Sequence, residues 1–224
     1  MQEHEVKNGR KSEDLSNVGA SRLSWGALAR GLGAIAVPFF VAIIVALAVL
    51  DIKAVFEPPL LLPVLNTLFV SLASFAVAYI SAKCYLTTGL PNVLLLGCGV
   101  LTFGTANLIA GWLITFTGSP NINVAIHNTG ALLGSLFHAA GAMLPLPEIA
   151  AGKVSKRRKF VVVLVYLGVL VFIALVTIAS LREAIPPFFI QGVGPTPLRQ
   201  GVLGSAVALF AISSFLFMKR YSKL

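Results

Sequence analysis

The stretch FVVVLVYLGVLVFIALVTIASL, residues 160–181, decides the fold class of this chain. It contains no Asp, Glu, Lys or Arg, and as a helix it would be roughly 30 Å long, the thickness of the hydrocarbon core of a bilayer. A soluble helix of this length would place polar residues along one face, and this stretch does not. It therefore predicts a membrane-spanning helix.

Five further stretches have the same character, and none of them carries a charged residue. They are Gly31–Leu50, Leu60–Ala82, Val93–Phe116, Ile122–Leu144 and Gly201–Met218. Across all 224 residues, 57% are hydrophobic and only 11% are charged, against about 25% charged in soluble domains. The sequence predicts an all-α integral membrane protein with a bundle of six spans over 31–218. A flexible cytoplasmic tail over 1–30 and a short tail over 219–224 flank the bundle.

The basic residues predict the orientation, because Lys and Arg concentrate on the cytoplasmic side of membrane proteins. Of the 17 basic residues, only Lys53, Arg182 and Arg199 fall in the first, third and fifth loops. The others lie in the two tails and in the second and fourth loops, so both termini are predicted to face the cytoplasm. The net charge of +9 is thus explained by span ends meeting anionic lipid, and nucleic acid is excluded as a partner.

The fourth predicted span reads NINVAIHNTGALLGSLFHAAGAM, residues 121–143. At 100° per residue, His127, His138, Gly130, Gly134 and Gly141 share one helix face. A face of small residues favours close packing with another helix. The alternative is a slot for a flat or chain-like ligand, with a haem or a quinone as the candidate cofactor and an imidazole as its ligand. The only other histidine is His4 in the tail, so a haem with two axial ligands would need a second copy of the chain or a ligand that is not a histidine.

Polar residues concentrate in the predicted outer half of the second, third and fourth spans. They include Asn66, Thr67, Asn107, Trp112, Asn123, His127, Asn128 and Thr129. Polar groups in a bilayer are costly and mark function or bonds between helices. If these faces converge they form a hydrogen-bonding pocket, and otherwise they are separate bridges. The predicted ligand-binding residues are His127, His138, Asn66, Asn107, Trp112 and Asn128.

Several chemistries are disfavoured. The spans contain no carboxylate for proton or cation coupling, and no metal-binding or nucleophile motif occurs. We therefore expect no metal site and no enzymatic activity. The Pro- and Phe-rich loop Arg182–Gln200 is either a lid over the mouth of the bundle or a plain connector.

Three segments together resemble a known family. LPVLNTLFVSLASFAVAYISAKCYL, LLLGCGVLTFGTANLIAGW and NVAIHNTGALLGSLFHAAGA resemble the membrane-embedded N-terminal sensor region of archaeal, methanogen-type PAS histidine kinases. The motifs PPFF and TPLRQ near the last span fit it as well. Those regions are similar to the MASE-type membrane-associated sensor domains, and the resemblance covers about Leu60 to Met218.

The resemblance implies a membrane sensor or input module that detects a membrane-associated or external cue and signals to a cytoplasmic effector. A ligand in the outer half would shift the fourth span and move the basic loop Lys153–Lys159. No output domain is expected on this chain, which is read as a standalone relative or part of a longer sensor. The candidate protein partners are a second copy of the chain and a cytoplasmic PAS or kinase protein. The alternatives are a permease or channel-like protein for a small or lipidic substrate and a haem-anchoring membrane subunit.

Overall fold

The structure is a computed structural model, and it describes residues 39, 41–43, 45, 46, 49, 60–145 and 155–221. The predicted tail over 1–30, most of the first predicted span and residues 222–224 lie outside these ranges. The chain divides into two units, Met1–Phe56 and Glu57–Leu224. In the first unit, the described positions between 39 and 49 are helical. All elements named below belong to the second unit.

The second unit is mostly helical, which confirms the all-α prediction. Its long helices are α1 (Leu61–Thr88), α2 (Pro91–Thr117), α3 (Pro120–Met143), α4 (Lys156–Leu181) and α5 (Pro197–Tyr221). Within α1, Asn66–Ser71 is a π-helical segment between α-helical Leu61–Leu65 and Leu72–Thr88. Two short strands, β1 (Phe189–Ile190) and β2 (Gly194–Pro195), pair antiparallel between α4 and α5.

Glycine and proline set the tight turns between the first three helices. Gly89 and Gly118 follow α1 and α2 with φ of 76° and 63°, the left-handed conformation that ends helices and favours glycine. Pro91 and Pro120 occupy the first helical positions of α2 and α3, where no amide hydrogen is needed. Connections this short force neighbouring helices to run antiparallel.

Four of the long helices, α1, α2, α4 and α5, are long and apolar enough to cross a membrane. This indicates a membrane protein. Helix α3, the fourth predicted span, has 24 residues but is not among the four. The reason is its N-terminal half, where Asn121, Asn123, His127 and Asn128 lower the mean hydropathy.

Helices α2 and α3 form the centre of the second unit. The most apolar window of α2 is 61% buried, compared with 22% for α1 and α4 and 11% for α5. α1 packs on α2, α5 packs on α3, and α4 contacts α1, α2 and α3. The residues of α1, α4 and α5 that face away from the centre are large, apolar and exposed, as expected of surfaces that face lipid.

Small residues allow the central helices to approach closely. Gly130 and Gly134 of α3 face Ala106 and the carbonyl oxygen of Gly99 in α2, and Gly141 faces the carbonyl oxygen of Asn92. The glycine face of α3 is therefore covered by α2. This is the packing alternative of the sequence analysis, and it leaves no slot along that face for a haem or a quinone.

Candidate functional site

A cavity of about 350 Å³ lies at one end of the helices. Four helices contribute to it: α1, the C-terminal half of α2, the N-terminal half of α3 and the first turns of α5. Its lining residues are Leu62, Asn66, Asn107, Ala110, Gly111, Asn123, Val124, His127, Asn128, Arg199 and Leu203. Four of the six predicted ligand-binding residues, Asn66, Asn107, His127 and Asn128, thus lie together. The convergence that the sequence left open is present.

Asn66 reaches the cavity from the start of the π-helical segment of α1. The wider turn of a π-helix rotates the side chains that follow it, and such segments are common at functional sites. Next to it, Thr67 donates a hydrogen bond to the carbonyl oxygen of Pro63 (2.7 Å) and accepts one from Nε1 of Trp112 (2.8 Å). Trp112 is therefore not a lining residue, and it supports the wall by joining α2 to α1.

Two asparagines of the lining are oriented by backbone carbonyl groups. Nδ2 of Asn107 donates to the carbonyl oxygen of Phe103 in its own helix (2.9 Å), and Nδ2 of Asn123 donates to the carbonyl oxygen of Ala110 across to α2 (2.8 Å). These bonds hold both amide groups in place. The cavity wall is therefore largely formed before any ligand enters.

His127 and Asn128 are neighbours in sequence, and both line the cavity. Nδ1 of His127 lies 3.4 Å from Oδ1 of Asn128, and since that oxygen only accepts, the imidazole is the donor. The His127 ring packs edge-on against Phe103, with ring centroids 5.8 Å apart. Asn128 is only 4% exposed and its Nδ2 has no hydrogen-bond partner. One residue of the cavity lining therefore has a buried amide donor without a partner.

His138 lies outside the cavity. Its Nδ1 donates to the carbonyl oxygen of Gly134 (2.7 Å), its ring packs edge-on against Phe210 of α5, and it contacts Gly99 of α2. The side chain therefore fills the space between α2, α3 and α5. Within the described ranges, no group of three His, Cys, Asp or Glu side chains could hold a metal.

The loop between α4 and α5 is fastened to the first turn of α3. Oδ1 of Asn121 accepts hydrogen bonds from the backbone amides of Phe188 (2.8 Å) and Phe189 (3.0 Å), and Phe188 is buried. Thr196 precedes Pro197 as expected for an N-cap, and its Oγ1 accepts from the amide of Arg199 (3.4 Å). No residue of 182–195 lines the cavity. In this structure the loop positions the start of α5 and does not cover the cavity.

The other end of the helices carries basic side chains that bind helix C-termini. Arg158 of α4 donates to the carbonyl oxygens of Leu86 and Thr87 at the end of α1 (both 3.3 Å). Arg220 of α5 donates to the carbonyl oxygen of Leu144 after α3 (2.7 Å). Cations at this position satisfy free carbonyl groups and interact favourably with the helix dipole. The end opposite the cavity is therefore the basic one.

Sequence reasoning missed Arg199 as a lining residue. In the predicted topology Arg199 is a loop residue, because the predicted last span begins at Gly201. The sequence signal for it is the Thr196-Pro197 start, which places Arg199 in the first turn of a helix whose other charged residues, Lys219 and Arg220, lie in its last turn. A charge at that position of an apolar helix points to a polar partner or a cavity.

Comparisons with protein-family models, with curated proteins and with solved structures find no match to this chain.

Proposed function

We propose that this chain is a multi-pass membrane sensor or input module. A small ligand binds in the polar cavity, and the bound state is passed along the helices to a cytoplasmic effector. The observation that supports this proposal is the convergence of asparagine, histidine and arginine side chains from four helices on one cavity. The similarity of the three segments quoted above to PAS histidine-kinase sensor regions supports the same class. The proposal includes no enzymatic activity.

The proposed topology has six spans, with both termini in the cytoplasm. The contacts of Arg158 with α1 and of Arg220 with the end of α3 support it, because they place basic residues from separate loops at one end. The cavity then lies toward the outside. A reporter that is active only in the cytoplasm, fused after Leu224, is expected to be active, and one inserted after Gly192 to be inactive. The reverse pattern would overturn the orientation.

Packing in the middle of the helices supports a sensor over a permease. Between the cavity and the basic end, Cys98, Thr102 and Ser135 are completely buried. The glycine contacts between α2 and α3 fill the same level. The cavity is therefore closed toward the basic end, as a binding pocket is, whereas a transport path would need polar groups along its whole length.

Helix α5 connects the two ends in a single element. Its first turn contributes Arg199 to the cavity, and its last turn contributes Arg220 to the carbonyl oxygen of Leu144. Helix α3 runs beside it and lines the cavity with four residues. We propose that a ligand shifts α5 against α3 and so changes the contact between Arg220 and Leu144. The proposed receivers of the signal are cytoplasmic PAS or kinase modules, and a homodimer is the proposed assembly.

The experiment fills the cavity with a larger side chain and measures the accessibility of a cysteine at the opposite end of the helices. Gly111 lines the cavity, and a Cβ there would meet only ordinary contacts, the nearest being Nδ2 of Asn66 at 3.7 Å. Gly111→Leu is therefore expected to occupy the cavity as a ligand would. The reporter is Met143→Cys, since Met143 is 64% exposed and adjoins Leu144. Cys84 is replaced by serine, while Cys98 is fully buried.

In membranes, the maleimide labelling rate of Met143→Cys is expected to change at least threefold when Gly111→Leu is added. Val124→Phe, which fills the cavity from α3, is expected to change it in the same direction. Gly168→Leu is the matched control, because nothing lies within 4 Å of a Cβ at Gly168 in α4. Equal labelling rates in all four proteins would overturn the proposal of transmission from the cavity to the basic end.

A further inference from the structure

The charge of the cavity is carried by one residue. Of the described residues that line it, Arg199 alone is charged, and no Asp or Glu is among them. No described carboxylate forms an ion pair with its guanidinium group. A partly buried guanidinium is the side chain that best matches a carboxylate or a phosphate, because its planar donors bind two oxygen atoms at once. The cavity therefore favours anions over cations and neutral molecules.

The amide groups provide further donors for the same kind of group. Nδ2 of Asn128 is buried and has no hydrogen-bond partner, although a buried donor without a partner costs stability. Because Asn128 also lines the cavity, a turn of its amide group would present this donor to a ligand oxygen. Asn107 and Asn123 use one amide hydrogen each on backbone carbonyls, so their oxygen atoms are fixed in position. The wall thus has donors for an anionic oxygen group and acceptors for a hydroxyl group beside it.

The rim of the cavity is apolar. Leu62 of α1 and Leu203 of α5 line it and are 63% and 37% exposed. Exposed leucines of membrane helices face the acyl chains of lipid. A volume of about 350 Å³ is at the small end of ligand pockets, roughly 300–1,000 Å³. The cavity therefore suits a polar head whose apolar part continues between Leu62 and Leu203.

We infer that the cavity binds the anionic oxygen group, a carboxylate or a phosphate, of an amphiphile. Arg199 pairs with the charge, Asn128 donates to the same group, and Leu62 and Leu203 contact the apolar part. This inference rests on the cavity of the proposed function and names its ligand class. The amphiphile has two sources, a lipid of the surrounding bilayer or a soluble single-chain acid.

The experiment compares matched probes. Trp112 is bonded to Thr67 beside the cavity, and in a Trp25→Phe background it is the only tryptophan of the chain. In detergent, its fluorescence is titrated with octanoate and with octanamide, which has the same chain and no charge. The bilayer arm compares the melting temperature of the protein in discs of phosphatidylcholine alone and of phosphatidylcholine with phosphatidylglycerol.

We expect octanoate to bind and octanamide to bind at least tenfold more weakly. Arg199→Gln should weaken octanoate binding by roughly ten- to a hundredfold, the value of a charge-assisted hydrogen bond. Arg182→Gln is the matched control, because Arg182 is an exposed arginine at the end of α4 that does not line the cavity. If only phosphatidylglycerol has an effect that depends on Arg199, the ligand is a lipid headgroup. If only octanoate has an effect that depends on Arg199, the ligand is a soluble acid.

An anion effect of equal size in Arg199→Gln and Arg182→Gln, or equal binding of octanoate and octanamide, would overturn the inference. So would the absence of any effect that depends on Arg199 in both arms. The labelling experiment on Met143→Cys uses no ligand, so its outcome is independent of these results. Failure of the anion experiment alone removes the ligand class, and failure of the labelling experiment alone removes signal transmission.

Discussion

Nε1 of Trp112 donates a hydrogen bond of 2.8 Å to Oγ1 of Thr67, and this bond joins α2 to the π-helical segment of α1. The same hydroxyl group donates to the carbonyl oxygen of Pro63, which belongs to the preceding turn. One threonine therefore satisfies the backbone where the helix widens and also fixes the neighbouring helix. Asn66, the residue before it, is held at the cavity wall as a result.

Removing either partner of this bond is expected to destabilise the protein. Trp112→Phe keeps most of the ring contacts and should lower the free energy of unfolding by about 1 kcal/mol, the usual value of a neutral hydrogen bond. Thr67→Val should cost about as much or slightly more, because it also removes the bond to Pro63. Denaturant unfolding in detergent micelles measures both.

The double variant provides the decisive comparison. If the two side chains act through one bond, the effects of Trp112→Phe and Thr67→Val are less than additive. Thr115→Val is the control, since its hydroxyl group is exposed and donates only to the carbonyl oxygen of Trp112 in its own helix. Strictly additive effects would mean that the two residues do not support each other.

A second prediction concerns the glycine face of α3. A Cβ at Gly134 would lie 3.1 Å from the carbonyl oxygen of Gly99, so Gly134→Ala has to push α3 away from α2. We expect a loss of about 1–3 kcal/mol, as for other overpacked interiors. Gly168→Ala, in open space on α4, should be neutral or stabilising by up to about 1 kcal/mol. An unchanged unfolding transition for Gly134→Ala would indicate an open slot along this face.

The sequence was informative where the bilayer dictates the pattern. Long uncharged stretches predict helices because every backbone amide needs an internal partner in hydrocarbon, and α1 to α5 overlap five of the predicted spans. The depth of the polar residues in the membrane is also predictable from the sequence. Because successive helices run in opposite directions, Asn66, Asn107 and Asn128 lie at the same end. The sequence does not determine how each helix is rotated about its axis. For this reason it predicts Trp112 and His138 as lining residues, whereas in the structure their side chains contact Thr67 and Gly134.

Arg199 is the opposite case, a lining residue that the sequence does not predict. The start of the last helix depends on the N-cap formed by Thr196, which is a local contact, and on the loop contacts of Asn121, which are tertiary interactions. Moving the start of the last helix by a few residues converts a loop charge into a cavity charge. The π-helical segment of α1 is not predictable from the sequence either, because its composition does not differ from that of an α-helix.

A third prediction concerns the basic end. Arg158→Gln removes the donor to the carbonyl oxygens of Leu86 and Thr87 and should lower the free energy of unfolding by about 1 kcal/mol, since the contact is partly exposed. Arg157→Gln is the matched control, because Arg157 is exposed and adjacent in sequence. Thermal unfolding of both variants at low and at high salt is the measurement. Equal melting temperatures for the two variants would remove the proposed cap on α1.

The fourth prediction separates stability from ligand binding at Asn128. Because its buried Nδ2 has no partner, Asn128→Leu removes an unsatisfied donor and keeps the number and branching of the side-chain heavy atoms. The free energy of unfolding without ligand should stay the same or rise by about 1 kcal/mol, even though the contact with His127 is lost.

Asn92 is the matched comparison: its Oδ1 is also buried without a partner, but its Nδ2 donates to the carbonyl oxygens of Leu144 and Pro145. Asn92→Leu should therefore destabilise by about 1–2 kcal/mol. Denaturant unfolding of both variants in the same detergent is the measurement. If Asn128→Leu lowers the free energy of unfolding as much as Asn92→Leu does, Asn128 stabilises the fold and its free donor does not serve a ligand.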